Sequence, residues 1–343
     1  MVTSEQVAQL AGVSRATVSR ALNGSANVSE ETKQRILDAI ASLGYEPNVV
    51  AQNLARQRSR VIAFALFSDD YRRLAEIEQT QYYFYLGIIS VVERAATSAG
   101  YDLLFPLRAQ DGSYTNYVRN LQSRRVAGVI AIAIDQIDSR IQALISSDLP
   151  TVFIDNMAQG NNATYVKSDN VDGARMAMEH LLQLGHKRVA LMPGNTSELS
   201  GAERLLGCQQ GLAKAGIPLD PDLIRVSGWS TGTAYTTAAK LLDQRRDFTA
   251  IVAGSDLMAL GVLRALHERG IRVPEDISVV GFDDVDICRF IEPPLTTVRQ
   301  DRMVMSQNAV QKLIKMIEDG EPPSPLVVPM RLVARASTGP ATA

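Results

Sequence analysis

From Arg60 onward, short apolar runs alternate with amphipathic stretches of helical length, and this alternation limits the possible folds more than any other feature of the chain. Runs suited to strands fall at 61–67, 103–105, 129–134, 151–154, 189–192, 251–253 and 279–282. Stretches suited to helices fall at 86–98, 116–123, 139–145, 173–184, 201–215, 233–245, 256–269 and 303–318. Strand following helix in this way implies parallel sheets covered on both faces, an α/β architecture. Gly100, Gly185, Gly216 and Gly270 each close a helical stretch, where a left-handed cap is expected. One alternating series ends near residue 157 and a second begins, so the sequence predicts two doubly wound subdomains with the C-terminal region crossing back between them.

Open α/β sheets bind ligands beyond the carboxyl ends of their strands, so the cleft between two such subdomains is the expected pocket. Strand ends here carry suitable groups: Asp155, Ser255-Asp256 and Asp283-Asp284. Glu203-Arg204-Leu205-Leu206-Gly207 opens a helix after the strand end at Met192-Pro193-Gly194-Asn195, and Trp229, the sole tryptophan, follows the 223–226 run. An aspartate after a strand also serves as a helix cap, which is the leading expectation for Asp256. Trp229 suits either ligand stacking or plain core packing. The cluster Gln81-Tyr82-Tyr83-Phe84-Tyr85 suits either a pocket floor or a contact between subunits.

The first 45 residues have a different texture. Thr3 and Gln6 have capping-box spacing, and Val7, Ala8, Leu10 and Ala11 give a short helix its apolar face. Gly12 permits a tight turn, Ser14 caps a second helix, and Val18, Ala21 and Leu22 face inward. Arg15, Ala16, Thr17, Ser19 and Arg20 are left on the outer side, a front suited to the DNA major groove. A third helix over 29–43 closes the bundle through Ile36, Leu37, Ala39, Ile40 and Leu43. The net charge of −2 does not describe a wholly basic nucleic-acid binder, but Arg56, Arg58 and Arg60 form a local basic patch beside the helices.

The series Ala11-Gly12-Val13-Ser14, Thr17-Val18-Ser19-Arg20 and Leu22-Asn23 strongly resembles the start of LacI/GalR-family transcription regulators. The match continues through Val28-Ser29-Glu30-Glu31-Thr32, Ile36, Ala39-Ile40 and Leu43-Gly44-Tyr45-Glu46-Pro47-Asn48. The resemblance implies a helix-turn-helix headpiece over 1–46 and a hinge helix over 47–59. It further implies a type I periplasmic-binding-protein-like effector module, its N-subdomain at 60–157 and 293–322 and its C-subdomain at 158–292 and 323–338, before a disordered tail at 339–343. Arg15 and Arg20 would read guanine, Ala16 a thymine methyl, and Thr17 and Ser19 would hold phosphates. Thr3, Ser14, Asn23, Ser29, Tyr45, Asn48 and Ala55 complete the implied DNA-facing set. Leu54 matches the family's minor-groove wedge, and Arg56 would substitute for an arginine the family often places before that leucine, where this chain has Ala51-Gln52-Asn53. Implied effector ligands are Tyr82, Phe84, Asp155, Arg204, Trp229, Ser255 and Asp283, with Ser255 standing where asparagine is common. A charged insertion at 68–81 departs from the family pattern. The family's tetramer-forming leucine repeat is not evident, so a homodimer on a pseudo-palindromic operator is expected, with effector binding in the cleft controlling a repressor.

No phosphate-binding glycine fingerprint and no nucleophile–base spacing appears, so no cofactor and no enzyme activity is expected. His180, His186 and His267 read as surface or helix-end residues, and Cys208 and Cys288 as buried small hydrophobes, without metal spacing. The lack of an apolar signal segment or spanning run points to a cytoplasmic protein without membrane partners. Two other readings stay open: a solute-binding protein of the same fold, and a sugar-active enzyme built on Asp155, Asp256 and Asp283. The effector is left open among sugar, sugar phosphate and nucleoside.

Overall fold

The computed structural model describes residues 2–22, 28–45, 59–67, 82–106, 116–133 and 138–342. Two compact units result, Met1–Arg60 and Val61–Ala343. In the first, α1 (Ser4–Ala11), α2 (Arg15–Leu22) and α3 (Glu30–Leu43) enclose a small core of Val7, Ala8, Ala11, Val18, Ile36 and Ala39. The first two starts are capped by the residues the sequence marks, and the third by Ser29. Thr3 and Gln6 form the reciprocal capping box on α1, Ser14 Oγ accepts from the Thr17 N–H at 3.1 Å, and Ser29 Oγ accepts from the Thr32 N–H at 3.3 Å. Gly12 ends α1 at φ +65°, a left-handed turn that costs glycine nothing. Leu10 and Leu37 do not join this core as expected. Both are exposed, because each lies one helical step away from the buried stripe on its helix.

The second unit holds two sheets. The first contains β1 (Val61–Phe67), β2 (Asp102–Leu104), β3 (Gly128–Ala133), β4 (Thr151–Ile154), β5 (Ala163–Ser168) and β10 (Leu326–Val328), in the order β10-β5-β4-β3-β1-β2 and parallel throughout. The second contains β6 (Val189–Met192), β7 (Ala250–Ala253), β8 (Ser278–Asp283), β9 (Thr296–Arg299) and β11 (Arg331–Val333), in the order β11-β9-β8-β7-β6, with only β11 antiparallel.

Strand pleating sorts the apolar runs between two faces. On one face of the first sheet, Ile62, Phe64, Ile130, Ile132, Val152 and Ile154 pack with Ile88 and Val92 of α4 (Tyr82–Ser98) and with residues of α11 (Arg302–Glu318). On the other, Ala63, Ala65, Val129, Ala131 and Phe153 meet α5 (Tyr117–Ser123) and α6 (Ser139–Ile145). The second sheet repeats the scheme. Val189, Leu191, Val252, Val280 and Phe282 face α7 (Asn170–Gln183) and α8 (Leu199–Lys214), while Ala190, Met192, Ile251 and Val279 face α9 (Thr231–Gln244) and α10 (Asp256–His267). Both cysteines are buried in the cores of the second sheet.

Three sequence expectations change. The first sheet extends past residue 157 through β5 and takes in β10, whereas β9 joins the second sheet. The chain therefore crosses between sheets after Ser168, after Arg299 and after Val328, not at 157, 293 and 323. β5 (ATYVKS) and β9 (TTVR) mix hydroxyl, cationic and apolar residues, so neither shows the apolar run that flags a buried parallel strand. The tail expected to be disordered is hydrogen-bonded: the Gly339 N–H donates to Ser278 Oγ at 3.1 Å and the Ala341 N–H to the Leu184 carbonyl at 2.8 Å. His186, read as a surface or helix-end residue, does lie just past the end of α7 but is buried against this tail between Thr249 Oγ1 at 2.8 Å and the Gly339 carbonyl at 3.0 Å, and burial lowers its pKa.

Candidate DNA-reading head and effector cleft

The head presents one helix with an apolar back and a basic front. Val18 is fully buried, while Arg15, Ala16, Ser19 and Arg20 are exposed on the opposite side and Thr17 is half-buried. No acidic side chain lies on α2, so its front carries positive charge only. Arg15 Nε donates to Ser4 Oγ at 3.0 Å, which ties the guanidinium to the start of α1. Thr3, Ser14 and Ser29 spend their side chains on capping, and Tyr45 packs against the core of the bundle. Helix caps still leave backbone N–H groups suited to phosphate at their ends. Asn23, Asn48, Leu54, Ala55 and Arg56, with residues 47–58 of the expected hinge and the 68–81 insertion, lie outside the described residues.

In the second unit, the carboxyl ends of β4 and β8 bring acidic groups together. Asp155 follows β4 at φ +59°, and Asp283 and Asp284 close β8 at φ +117° and +57°. Aspartate tolerates this region better than most residues, yet three such positions at strand ends mark a backbone shaped to aim side chains. Asp155 is 8% exposed, and its Oδ1 has no hydrogen-bond partner among the described residues. Burial raises the Asp155 pKa, against the pull of Arg204 and Lys167. Burial likewise pushes Asp283 up to about 6, although Arg204 and the Gln300 amide draw it down. Gln300 Nε2 donates to Asp283 Oδ1 at 2.5 Å, which leaves Gln300 Oε1 buried and unpartnered among the described residues.

Arg204 lies beneath this group. Its Nε donates to Asn170 Oδ1 at 3.0 Å, its Nη1 to the Gly254 carbonyl, and its Nη2 lies 3.9 Å from Asp283 Oδ1. The guanidinium is 4.0 Å from the centroid of the Phe282 ring and 5.3 Å from that of Trp229. Trp229 Nε1 donates to Glu198 Oε2 at 2.8 Å, and Gly194, at φ +87°, leaves the room that the indole occupies. Tyr85 joins the same group: enclosure raises its phenol well above its usual value, and the charges of Asp155, Glu198 and Asp283 add to that.

The expected effector residues therefore divide. Asp155, Arg204, Trp229 and Asp283 come together at the strand ends. Ser255 caps α10, its Oγ accepting from the Met258 N–H at 3.1 Å. Phe84 is turned into the core of the first sheet, in edge contact with the Tyr85 ring at 5.5 Å, while the Tyr85 phenol feels the charges of Asp155, Glu198 and Asp283. The Tyr82 side chain lies outside the described residues. Asp256 is not the helix cap expected of it. It is fully buried, accepting from Thr297 Oγ1 at 2.5 Å and the Val285 N–H at 2.9 Å, and burial with the charge of Asp283 raises it to about 7. Burial works against ionisation of Asp284 too, but Arg335 and Arg299 pair with it and hold it below its usual value. Sequence reasoning did not single out Glu198, Gln300, Asn170 or Arg302, which sit at these strand ends or beside them. Among the described residues no cluster of three or more His, Cys, Asp or Glu could hold a metal ion.

Residues 4–48 match the family description "Bacterial regulatory proteins, lacI family", and residues 178–338 match "Periplasmic binding protein-like domain". The transcriptional regulator CelR of Thermobifida fusca is 33% identical over 98% of both chains. The chain belongs to the lacI family of bacterial regulatory proteins. Among solved structures, a CelR–cellobiose complex aligns over 98% of this chain and all of its own, at 32% identity and a TM-score of 0.73. A lac repressor dimer bound to operator and the anti-inducer ONPF aligns over 98% of this chain and 99% of its own, at 32% identity and a TM-score of 0.84. The architecture is accordingly that of a lacI-family regulator: a helix-turn-helix head for operator DNA, and a periplasmic-binding-protein-like module of two parallel-sheet subdomains for a small-molecule effector.

Proposed function

We propose that this lacI-family regulator is a cytoplasmic, homodimeric repressor without catalytic activity, and that its effector is a sugar bound among Tyr85, Asp155, Arg204, Trp229, Asp283 and Gln300. One observation carries the reading. A single chain pairs an all-positive recognition helix front at Arg15 and Arg20 with a set of inward-aimed carboxylates at the strand ends of a two-sheet module. Carboxylate and amide acceptors suit sugar hydroxyls, and the relative in complex with cellobiose is consistent with that class. The three aspartates do not form a hydrolytic set. Asp256 lies behind Gly281, where a Cβ would come 2.4 Å from its Oδ1, and its hydrogen bonds go to the protein. Among the described residues no helix is long and apolar enough to cross a membrane.

The test is fluorescence anisotropy on a duplex selected from a random pool by the full chain. Selection should return a near-palindrome, and an added sugar should change its Kd by roughly 10-fold, a coupling of about 1.4 kcal/mol. Failure to select any duplex over random sequence would refute the DNA-reading role. Release of product from cellobiose or other disaccharides would refute the non-enzymatic one.

A further inference from the structure

We propose that Ser4 is a positioning residue for operator reading: its hydroxyl, at the start of α1, holds the Arg15 side chain so that the outer edge of the guanidinium meets a guanine. The inference rests on the reading of the head as the DNA-binding unit and of Arg15 as one of its base contacts. Ser4 is the first residue of α1 and Arg15 the first of α2. Both starts are fixed. The capping box sets where α1 begins, the Thr3 N–H donating to Gln6 Oε1 at 2.9 Å, and the Ser14 cap sets where α2 begins. The turn at Gly12 between them is closed by the Val13 N–H on the Ala8 carbonyl at 3.0 Å. Across that frame Arg15 Nε donates to Ser4 Oγ at 3.0 Å, although the two residues are 11 positions apart in the chain.

This bond decides which edge of the guanidinium faces outward. With Nε engaged, the two Nη groups are left for the O6 and N7 acceptors of a guanine, a bidentate contact that discriminates by roughly 10- to 100-fold. The partner is a neutral hydroxyl, so the positive charge stays available to DNA. An untethered arginine loses rotamer freedom on reaching a base, and it reaches a phosphate as readily. Ser4 removes part of that freedom before DNA arrives and disfavours the swing to the backbone. Its contribution therefore falls on sequence discrimination rather than on total affinity. Ser4 is half-buried and Arg15 exposed in the free chain. A duplex seated on them displaces water, which strengthens the bond where it is used.

The experiment uses the full chain and the duplex it selects from a random pool, with every single-base-pair variant of one half-site scored by anisotropy. Arg15→Ala should erase a preference of about 10-fold or more at one base pair, which marks the pair that Arg15 reads. Ser4→Ala should relax the preference at that same pair by roughly 3- to 5-fold. It should leave the pair that depends on Arg20, the binding of scrambled duplex and the salt slope unchanged. Alanine suits the first turn of a helix and Thr3 supplies the cap on α1, so this variant keeps the head folded. Ser4→Thr keeps a hydroxyl and should keep the preference, and in the Arg15→Ala background Ser4→Ala should change nothing further. An unchanged preference at the Arg15 pair in Ser4→Ala overturns the inference while the base-reading role of Arg15 stands. So does an equal loss at every base pair, or a Ser4→Thr chain as relaxed as Ser4→Ala. If Arg15→Ala spares every base preference, Arg15 is not a base contact and the inference falls with it. The DNA-reading role of the head fails only if the wild-type chain selects no duplex.

Discussion

Replacing Asp256 by Asn should flatten the pH dependence of the stability of the second unit. Asp256 is buried and titrates at about 7 in the folded chain. In the unfolded chain an aspartate titrates at about 3.9. Between those values the folded state holds a proton that the unfolded state has released, so stability falls as pH rises through that window. Lowering the pH from about 7.5 to 5.5 should therefore stabilise the wild type by about 2 kcal/mol through this group alone. Asp283, at about 6, adds a smaller contribution of the same sign. Asparagine keeps the shape and the two hydrogen bonds. Its carbonyl accepts from the Val285 N–H, and its amide donates to the Thr297 hydroxyl, which rotates to accept. The assay is urea unfolding at both pH values followed by the fluorescence of Trp229, the only tryptophan, which leaves the head silent. Asp256→Asn should lose about 2 kcal/mol of the acid-induced gain. Parallel pH profiles for the two proteins would refute the assignment of that proton to Asp256.

Three further outcomes follow from local geometry. Arg20→Ala should weaken the selected operator by about 10- to 100-fold while changing binding to scrambled duplex far less, measured by anisotropy; equal loss on both would remove its base-reading role. Ser14→Ala should cost the three-helix head about 1 kcal/mol by removing the cap on the Thr17 N–H, seen as an earlier loss of helical circular dichroism in the isolated 1–60 segment if that segment folds, and otherwise in the full chain. Gly194→Ala should destabilise the second unit by about 1–3 kcal/mol and shift Trp229 emission, because the new Cβ would lie 2.5 Å from the indole at a φ of +87°; an unchanged emission maximum would place the indole elsewhere.

The fold was legible wherever a strand is a nearly unbroken apolar run. β1, β4 and β6 are apolar on both faces, and their bounds match the runs read from the sequence. It was illegible where a strand carries a polar residue whose partner is distant. Lys167 lies in β5, buried, and finds its counter-charge on Glu203 in α8. No local pattern announces such a pair, so β5 was missed and the first crossover was placed too early. The site divides along the same line. Asp155, Arg204 and Asp283 were found from strand ends and a motif, both local signals. Gln300 and Glu198 became part of the group through tertiary approach. The choice between Phe84 and Tyr85 depends on helix phase: Phe84, Ile88 and Val92 recur every four residues and form the buried stripe, which leaves Tyr85 turned toward the carboxylates.

The first crossover and the cleft are joined by one polar chain. Lys167 pairs with Glu203, Asn170 Nδ2 donates to Glu203 Oε2 at 3.2 Å, and Asn170 Oδ1 accepts from Arg204. Lys167 lies in β5 just before the first crossover, Asn170 begins the helix that follows it, and Glu203 and Arg204 are neighbours on α8. A buried ion pair of this kind contributes little net stability, because desolvation offsets its attraction. What it does enforce is register, since separating the partners leaves uncompensated charge in the interior. A ligand that draws Arg204 toward the strand ends must therefore either carry Asn170 and the crossover with it or break a buried hydrogen bond.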